Sequence, residues 1–324
     1  MGFSRTKDRA FAVYDRGAGW LARQPRPVRA VVYRLMGSIL WGAYLLPGNT
    51  VRPTFAGLAR QAGCGAPGTL FGTFVRNLML GVDRAERVRH GFTAEIDGLL
   101  DIPDRARLDA ILATGGVLLA LPHAHASVPM ARGLAQHYPM LAIVRLPRNP
   151  ARAAAQRAMY EQVGCPIIDA RNEPPVAVTR LILRALKDGK IVMGVVDRIS
   201  RAPEGPVDAA ADLVRVVAFG EAVGAAAWPA RLARSAGVPV LPAMVGQGPD
   251  RISLLLHQAV PPRDDLVDMT QEWVDGLAEL LRATPSDWTF ALDKHWSRVL
   301  RSAPRNRSLP GGHGPDGPET VSAS

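Results

Sequence analysis

The chain has 324 residues, of which 48% are apolar and 21% are charged, so it can bury a large core and is not a disordered protein. Its length suits one catalytic-sized α/β domain with attached segments. The two cysteines, Cys64 and Cys165, form no CxxC motif, which excludes a disulfide framework and a structural zinc ribbon. This cysteine usage favours a reducing, cytoplasmic setting.

The net charge of +10 is concentrated near the N-terminus. Residues 1–60 contain ten Lys or Arg and two Asp, a net +8, and the rest of the chain is nearly neutral. A basic segment of this kind suits either nucleic acid or an anionic membrane surface. Here it surrounds the apolar stretch 31–46, with Trp20, Tyr33, Trp41 and Tyr44 nearby. Apolar residues combined with aromatic rings and flanking arginines favour the membrane.

The composition of residues 31–46 and their surroundings therefore predicts a helix that lies on the cytoplasmic face of the cell membrane or dips shallowly into it. A helix buried in the protein core and a single membrane span stay open as alternatives. The stretch has 16 residues and includes Arg34. A comfortable span needs about 20 apolar residues.

Further along the chain, helical periodicity covers 47–90 with an interruption at 63–68, and another helix is predicted at 105–113. Short apolar runs then predict buried strands at 117–121, 140–144, 167–168, 191–196, 238–245 and 252–256. Helices are predicted between and after them at 151–163, 176–187, 221–235 and 270–283, the last capped by Thr270, with a long loop over 198–213.

This alternation predicts an α/β fold with a mostly parallel or mixed central sheet flanked by helices, and the last two strands form an antiparallel edge. We divide the chain into three parts. Membrane-associating basic helices occupy 1–60, the α/β domain occupies 61–300, and a disordered tail without apolar periodicity occupies 301–324.

The polar cluster that best suits catalysis follows the strand at 117–121. His123 and His125 lie just beyond it, where open α/β sheets bind their ligands. A metal-dependent hydrolase needs further ligands, for which only His257 and Asp197 are candidates, so we predict no metal. Ser127 lacks the GxSxG turn of a serine nucleophile. His123 is therefore the main catalytic candidate.

Several motifs occur in a fixed order over residues 30–300. A Gly-Gly pair and a buried strand precede His123. They are followed by RxxxNP at 145–150, LxxGKxVxxxxD at 186–197, FG at 219–220, GVPVxP at 237–242 and PxDWxFxxxKxW at 285–296. In this order and spacing, the chain resembles the lipid A biosynthesis (lauroyl/myristoyl) acyltransferases and the related bacterial phosphatidylinositol mannoside acyltransferases.

The resemblance implies a glycerolipid acyltransferase-like fold and an enzyme that needs no cofactor. Such an enzyme moves an acyl chain from acyl carrier protein or acyl-CoA to a hydroxyl or amine of a lipid-linked or biosynthetic acceptor. Its expected partners are the acyl donor and the lipid surface, without nucleic acid, and we expect a monomer. His123 would act as general base with help from His125 and Asp197. The expected substrate-binding residues are Arg132, Arg145, Arg148 and Asn149.

The family motif is His-x4-Asp/Glu, and this chain departs from it at the acid. The fifth residue after His123 is Val128, and no carboxylate occurs between Asp109 and Glu161. Three explanations stay open. His125, Asp197 or Ser127 takes the place of the acid; the acceptor is an amine that needs less base catalysis; or the chain is a non-catalytic lipid- or acyl-carrier-binding relative. We expect an active enzyme, because positioning alone retains part of the catalysis.

Overall fold

The computed structural model describes residues 13–303, so residues 1–12 of the basic segment and 304–324 of the predicted tail lie outside the described part of the chain. Residues 13–22 are helical. Three further helices come before the sheet: α1 (Arg26–Leu45), α2 (Val51–Ala62) and α3 (Pro67–Arg89). Helix α2 crosses the predicted boundary at residue 60, and its Gly63 C-cap begins the predicted interruption.

The predicted α/β architecture is confirmed. The strands are β1 (Leu100–Asp101), β2 (Val117–Leu121), β3 (Met140–Val144), β4 (Ile167–Asp169), β5 (Ile191–Val195), β6 (Ser200–Arg201), β7 (Val207–Asp208), β8 (Leu213–Ala218), β9 (Glu221–Ala226), β10 (Val240–Gly248) and β11 (Arg251–Leu256). The remaining helices are α4 (Arg105–Thr114), α5 (Ser127–Ala135), α6 (Pro150–Val163), α7 (Pro175–Lys187), α8 (Trp228–Ala236), α9 (Leu266–Ala283) and α10 (Lys294–Ser302).

Seven strands form a mixed central sheet in the order β1-β11-β10-β2-β5-β3-β4. Strands β10, β2, β5, β3 and β4 are mutually parallel, and β11 runs antiparallel to β10. All five residues of β2 are buried, as a strand covered on both faces requires. Because β2 and β5 are parallel neighbours, their carboxyl ends lie side by side at one edge of the sheet.

The segment after β5 differs from the prediction. The expected loop at 198–213 contains the short strands β6 and β7, and the expected helix at 221–235 is split into β9 and α8. Phe219 and Gly220 have φ values of 54° and 82°, which give the tight reversal that pairs β8 with β9. These strands form a separate antiparallel sheet in the order β6-β9-β8-β7. Helical periodicity is not a reliable guide where such a turn reverses the chain.

Helix α9 begins earlier than predicted, and Thr270 is not its cap. The Asp265 side chain caps the helix by accepting hydrogen bonds from the backbone N–H groups of Val267 and Asp268. Thr270 is buried inside the helix, and its hydroxyl donates to the Leu266 carbonyl. A hydroxyl one turn into a helix satisfies itself on the preceding turn, so it could not mark the helix start.

The N-terminal helices are packed against the α/β domain. Helix α1 faces α3 through Tyr33, Gly37 and Tyr44, and the Tyr44 ring stacks on Phe71 at 4.4 Å between centroids. Helix α2 packs so closely on α10 that a Cβ at Gly57 would lie 1.9 Å from the Leu300 carbonyl oxygen. None of the helices in residues 13–303 combines the length and the hydropathy of a membrane span.

Candidate active site

The site is centred on His123 and Asp197, which lie at matching heights on two neighbouring strands. Leu121 at the end of β2 pairs with Val195 at the end of β5. His123 and Asp197 each come two residues later, so the parallel register brings them together. The His123 Nδ1 lies 2.6 Å from Asp197 Oδ1, and the His123 backbone N–H donates to Asp197 Oδ2 at 3.0 Å. The sheet thus joins two residues that are far apart in sequence.

Asp197 is buried, and its carboxylate is held by several donors. The Trp288 indole N–H donates to Asp197 Oδ2 at 2.9 Å, and the Trp296 indole N–H donates to the Asp197 carbonyl oxygen at 2.6 Å. A buried carboxylate needs such donors to offset its lost hydration. Trp288 and Trp296 are both buried in the core, and their indole N–H groups hold Asp197 in place.

The arrangement determines which nitrogen of His123 is free. Because a carboxylate can only accept, the network assigns the proton to Nδ1 and leaves the lone pair on Nε2. The His123 side chain is 29% exposed, whereas the Asp197 side chain is fully buried. Among residues 13–303, no hydrogen bond occupies Nε2. A buried acid behind an accessible imidazole is the arrangement of a general base.

An aromatic ring covers one face of this imidazole. Phe290 lies in the 3-10 turn Thr289–Leu292, and its ring is parallel to that of His123, with centroids 3.8 Å apart and planes at 5°. The guanidinium carbon of Arg198, the residue after Asp197, lies 5.4 Å from the Phe290 centroid. Nothing in the sequence pattern singles out Phe290 beyond its place in the PxDWxFxxxKxW motif.

His125 has different surroundings from His123. Its Nδ1 lies 3.1 Å from the Thr289 hydroxyl, its ring meets Phe74 edge-on, and burial lowers its pKa to about 4. Ala124 forms a β-bridge with Trp288, and His125 begins the turn before α5, with its Nδ1 facing Thr289 and not His123. His125 therefore does not hydrogen-bond to His123 in place of the missing acid.

Two other residues near the histidines also stay apart from the His123 ring. The Ser127 hydroxyl donates to the Ala124 carbonyl and accepts from the Ala124 N–H, which closes a local turn before α5. Val128, at the motif position of the acid, is half-buried and packs against the core. Of the three substitutes considered from sequence, Asp197 alone contacts the His123 imidazole.

The predicted substrate-binding residues divide into two kinds. Arg132 is engaged: its guanidinium binds both oxygens of Asp97, the Thr93 hydroxyl and the Gln162 carbonyl. These hydrogen bonds lower the pKa of Asp97 and tie α5 to the turn before β1. Arg132 is thereby occupied by structural contacts.

Arg145, Arg148 and Asn149 follow β3 at the same edge of the sheet as His123. The Asn149 side chain caps α6 by accepting from the Arg152 N–H at 3.0 Å. Arg145 and Arg148 are exposed, and neither forms an ion pair within the described range. The buried Asp169, which the sequence did not single out, holds this loop by accepting from the Leu146 N–H at 3.2 Å. Both guanidinium groups are thus free to meet an anionic ligand.

Asp287, the residue before Trp288, is another buried acid that the sequence did not single out. Burial raises its pKa to about 7, and Asn77 donates to it at 2.9 Å. His257, the other metal-ligand candidate, pairs with Glu279 at 3.0 Å. Within residues 13–303, no group of three or more His, Cys, Asp or Glu side chains is arranged to hold a metal ion.

No protein-family model matches the chain, and no curated protein sequence matches it either.

Proposed function

We propose that the protein is an acyltransferase that moves an acyl chain from an acyl-CoA or acyl carrier protein to a hydroxyl or amine, with His123 as general base and Asp197 as its orienting acid. The observation that supports this most strongly is the 2.6 Å contact between His123 Nδ1 and a buried carboxylate. The resemblance to lipid A biosynthesis acyltransferases supplies the reaction class, and Asp197 provides the acid that Val128 does not.

In this mechanism the acceptor hydroxyl gives its proton to His123 Nε2 as its oxygen attacks the thioester carbonyl carbon. The new C–O bond forms a tetrahedral intermediate, and the C–S bond then breaks. The departing thiolate takes the proton from the imidazolium, which restores neutral His123. Asp197 stabilises the imidazolium in between and keeps Nδ1 protonated throughout.

The exposed face of α1 supports a lipid-surface partner. Leu35 and Ile39 are 64% and 74% exposed, and Val28 and Val31 extend the same apolar face. The exposed cations Arg23, Arg26, Arg34 and Arg52 lie within or beside this helix. An apolar stripe with neighbouring cations suits an anionic bilayer surface, where the protein meets both the acyl chain and the lipid acceptor.

The test is single-turnover transfer from palmitoyl-CoA, and from palmitoyl-acyl carrier protein, to extracted bacterial lipids and to simple alcohols and amines. We expect His123→Gln to lower the rate by roughly 10²–10⁴-fold, the usual contribution of a general base. The matched control is His125→Gln, which changes the neighbouring buried histidine and leaves the His123–Asp197 contact in place.

Three outcomes are informative. A His123→Gln rate equal to that of the parent would overturn the proposal. A parent that binds palmitoyl-CoA without transferring or hydrolysing it would identify a non-catalytic acyl-binding protein. Stoichiometric metal in the active parent, removed together with activity by a chelator, would favour the hydrolase alternative.

A further inference from the structure

The Phe290 and His123 rings form a close and nearly parallel stack. Neutral aromatic pairs prefer offset or edge-to-face arrangements with centroids 4.5–7 Å apart. Here the centroids are 3.8 Å apart and the planes are 5° from parallel. With carbon atoms in contact at about 3.5 Å, this centroid distance leaves a lateral offset of at most about 1.5 Å, so the Phe290 ring covers most of one face of the imidazole. A cation, in contrast, is attracted to the centre of an aromatic face.

The backbone holds this arrangement in place. The Thr289 N–H donates to the His123 carbonyl at 2.8 Å, and Ala124 forms a β-bridge with Trp288. Phe290 follows directly, so its ring is carried by the same short segment that contributes the Trp288 hydrogen bond to Asp197. One stretch of chain therefore supports both members of the dyad.

Asp197 does not restrain the imidazole completely by itself. Its contact fixes the Nδ1 edge of the ring, but rotation about the Cβ–Cγ bond of histidine has broad minima. A flat apolar surface against one face removes that freedom. It also shields that face of the ring from water.

We propose that Phe290 is a positioning residue for the general base: its ring fixes the plane of the His123 imidazole and stabilises the imidazolium that forms when Nε2 takes the proton of the acceptor. This inference rests on the proposed acyltransferase function. A cation over an aromatic face contributes an amount that corresponds to roughly a 2- to 30-fold change in rate, depending on how dry the site is.

The experiment compares Phe290→Leu, which keeps an apolar side chain and removes the ring, with Phe290→Tyr, which restores a ring. His123 is observed by NMR in protein labelled at histidine Cε1, with its signal assigned by its loss in His123→Gln. In the parent we expect the Phe290 ring current to shift the His123 signal upfield. We expect this shift to vanish in Phe290→Leu and to return in Phe290→Tyr.

The kinetic readout is steady-state acyl transfer from palmitoyl-CoA, which gives kcat and KM separately. We expect Phe290→Leu to lower kcat about 2- to 30-fold with KM unchanged, and Phe290→Tyr to recover most of the loss. The inference is overturned if the His123 signal is the same in parent and Phe290→Leu, or if the signal moves and kcat does not. A rise in KM alone would make Phe290 a substrate contact instead.

These results separate the two proposals. If the parent transfers acyl groups and Phe290→Leu matches it, only the role of Phe290 fails. If the parent transfers none, the acyltransferase proposal fails, and the role of Phe290 fails with it. Arg198→Met serves as a control, because it removes the other cation near Phe290 and leaves the His123 stack intact.

Discussion

Replacing Asp197 by Asn tests the dyad at a single atom. Oδ2 accepts two N–H groups, from the His123 backbone and the Trp288 indole, while Oδ1 faces only His123 Nδ1. An asparagine must keep its oxygen at the position with two donors, because its NH₂ group there would leave both donors unpaired. The NH₂ group then takes the Oδ1 position and donates to Nδ1.

The consequence is a change of tautomer. With Nδ1 forced to accept, the proton of the neutral imidazole moves to Nε2, which can no longer receive a proton from the acceptor. The imidazolium also loses its negative partner. We expect Asp197→Asn to lower the single-turnover rate by roughly 10²–10⁴-fold, about 3–5 kcal/mol in the activation barrier.

The assay pairs this rate with an independent view of the tautomer. Nitrogen-15 NMR of labelled histidine distinguishes Nδ1–H from Nε2–H, and we expect the His123 signals of the variant to report Nε2–H. Asp265→Asn is the matched control, since Asn caps a helix as well as Asp does and this helix lies outside the dyad. A fully folded Asp197→Asn variant that transfers at the parental rate would refute the reasoning, as would an unchanged tautomer.

Two further predictions concern stability and the membrane. Burial raises the pKa of Asp287 to about 7, so the folded chain retains a proton that the unfolded chain releases above about pH 4. The free energy of unfolding is therefore highest below about pH 4 and falls as the pH rises towards 7. In urea unfolding, the free energy of unfolding of Asp287→Asn should therefore rise relative to that of the parent by up to about 4 kcal/mol between pH 4 and pH 8. An equal pH dependence of the free energy of unfolding in variant and parent would contradict this. Placing charges on α1 by Leu35→Asp with Ile39→Asp should weaken cosedimentation with anionic vesicles at least tenfold, because each apolar side chain contributes about 1.5–3 kcal/mol on burial. Val176→Asp, on the exposed part of α7, is the control, and equal binding by the double variant and the parent would exclude the α1 face as the lipid contact.

Much of the framework could be predicted from local patterns. The strands at 117–121 and 140–144 match the prediction to the residue, because a run of apolar side chains between polar or glycine-rich ends is a local signal. The parallel arrangement follows from the helices between the strands, and it places His123 at the edge of the sheet where ligands bind. These features depend on a few neighbouring residues at a time.

Other features depend on contacts between distant residues. Strand β9 lies where the sequence predicted a helix. The turn that precedes it is stabilised by packing of the Phe219 ring beside Trp288 and Trp296, which lie far along the chain, so no local pattern reveals it. The engagement of Arg132 by Asp97 and the burial of Asp287 likewise depend on partners that no local pattern reveals.

The sequence by itself determined the catalytic candidate His123, the strand that carries it and the short set of residues able to replace the missing acid. Only the tertiary structure shows which of them contacts His123. Asp197 contacts the imidazole because β2 and β5 are parallel neighbours in a register that puts both residues two positions beyond paired strand ends. His125 and Ser127 are closer in sequence, but the chain turns into α5 directly after Ala124, so His125 Nδ1 meets the Thr289 hydroxyl and the Ser127 hydroxyl bonds to the Ala124 backbone.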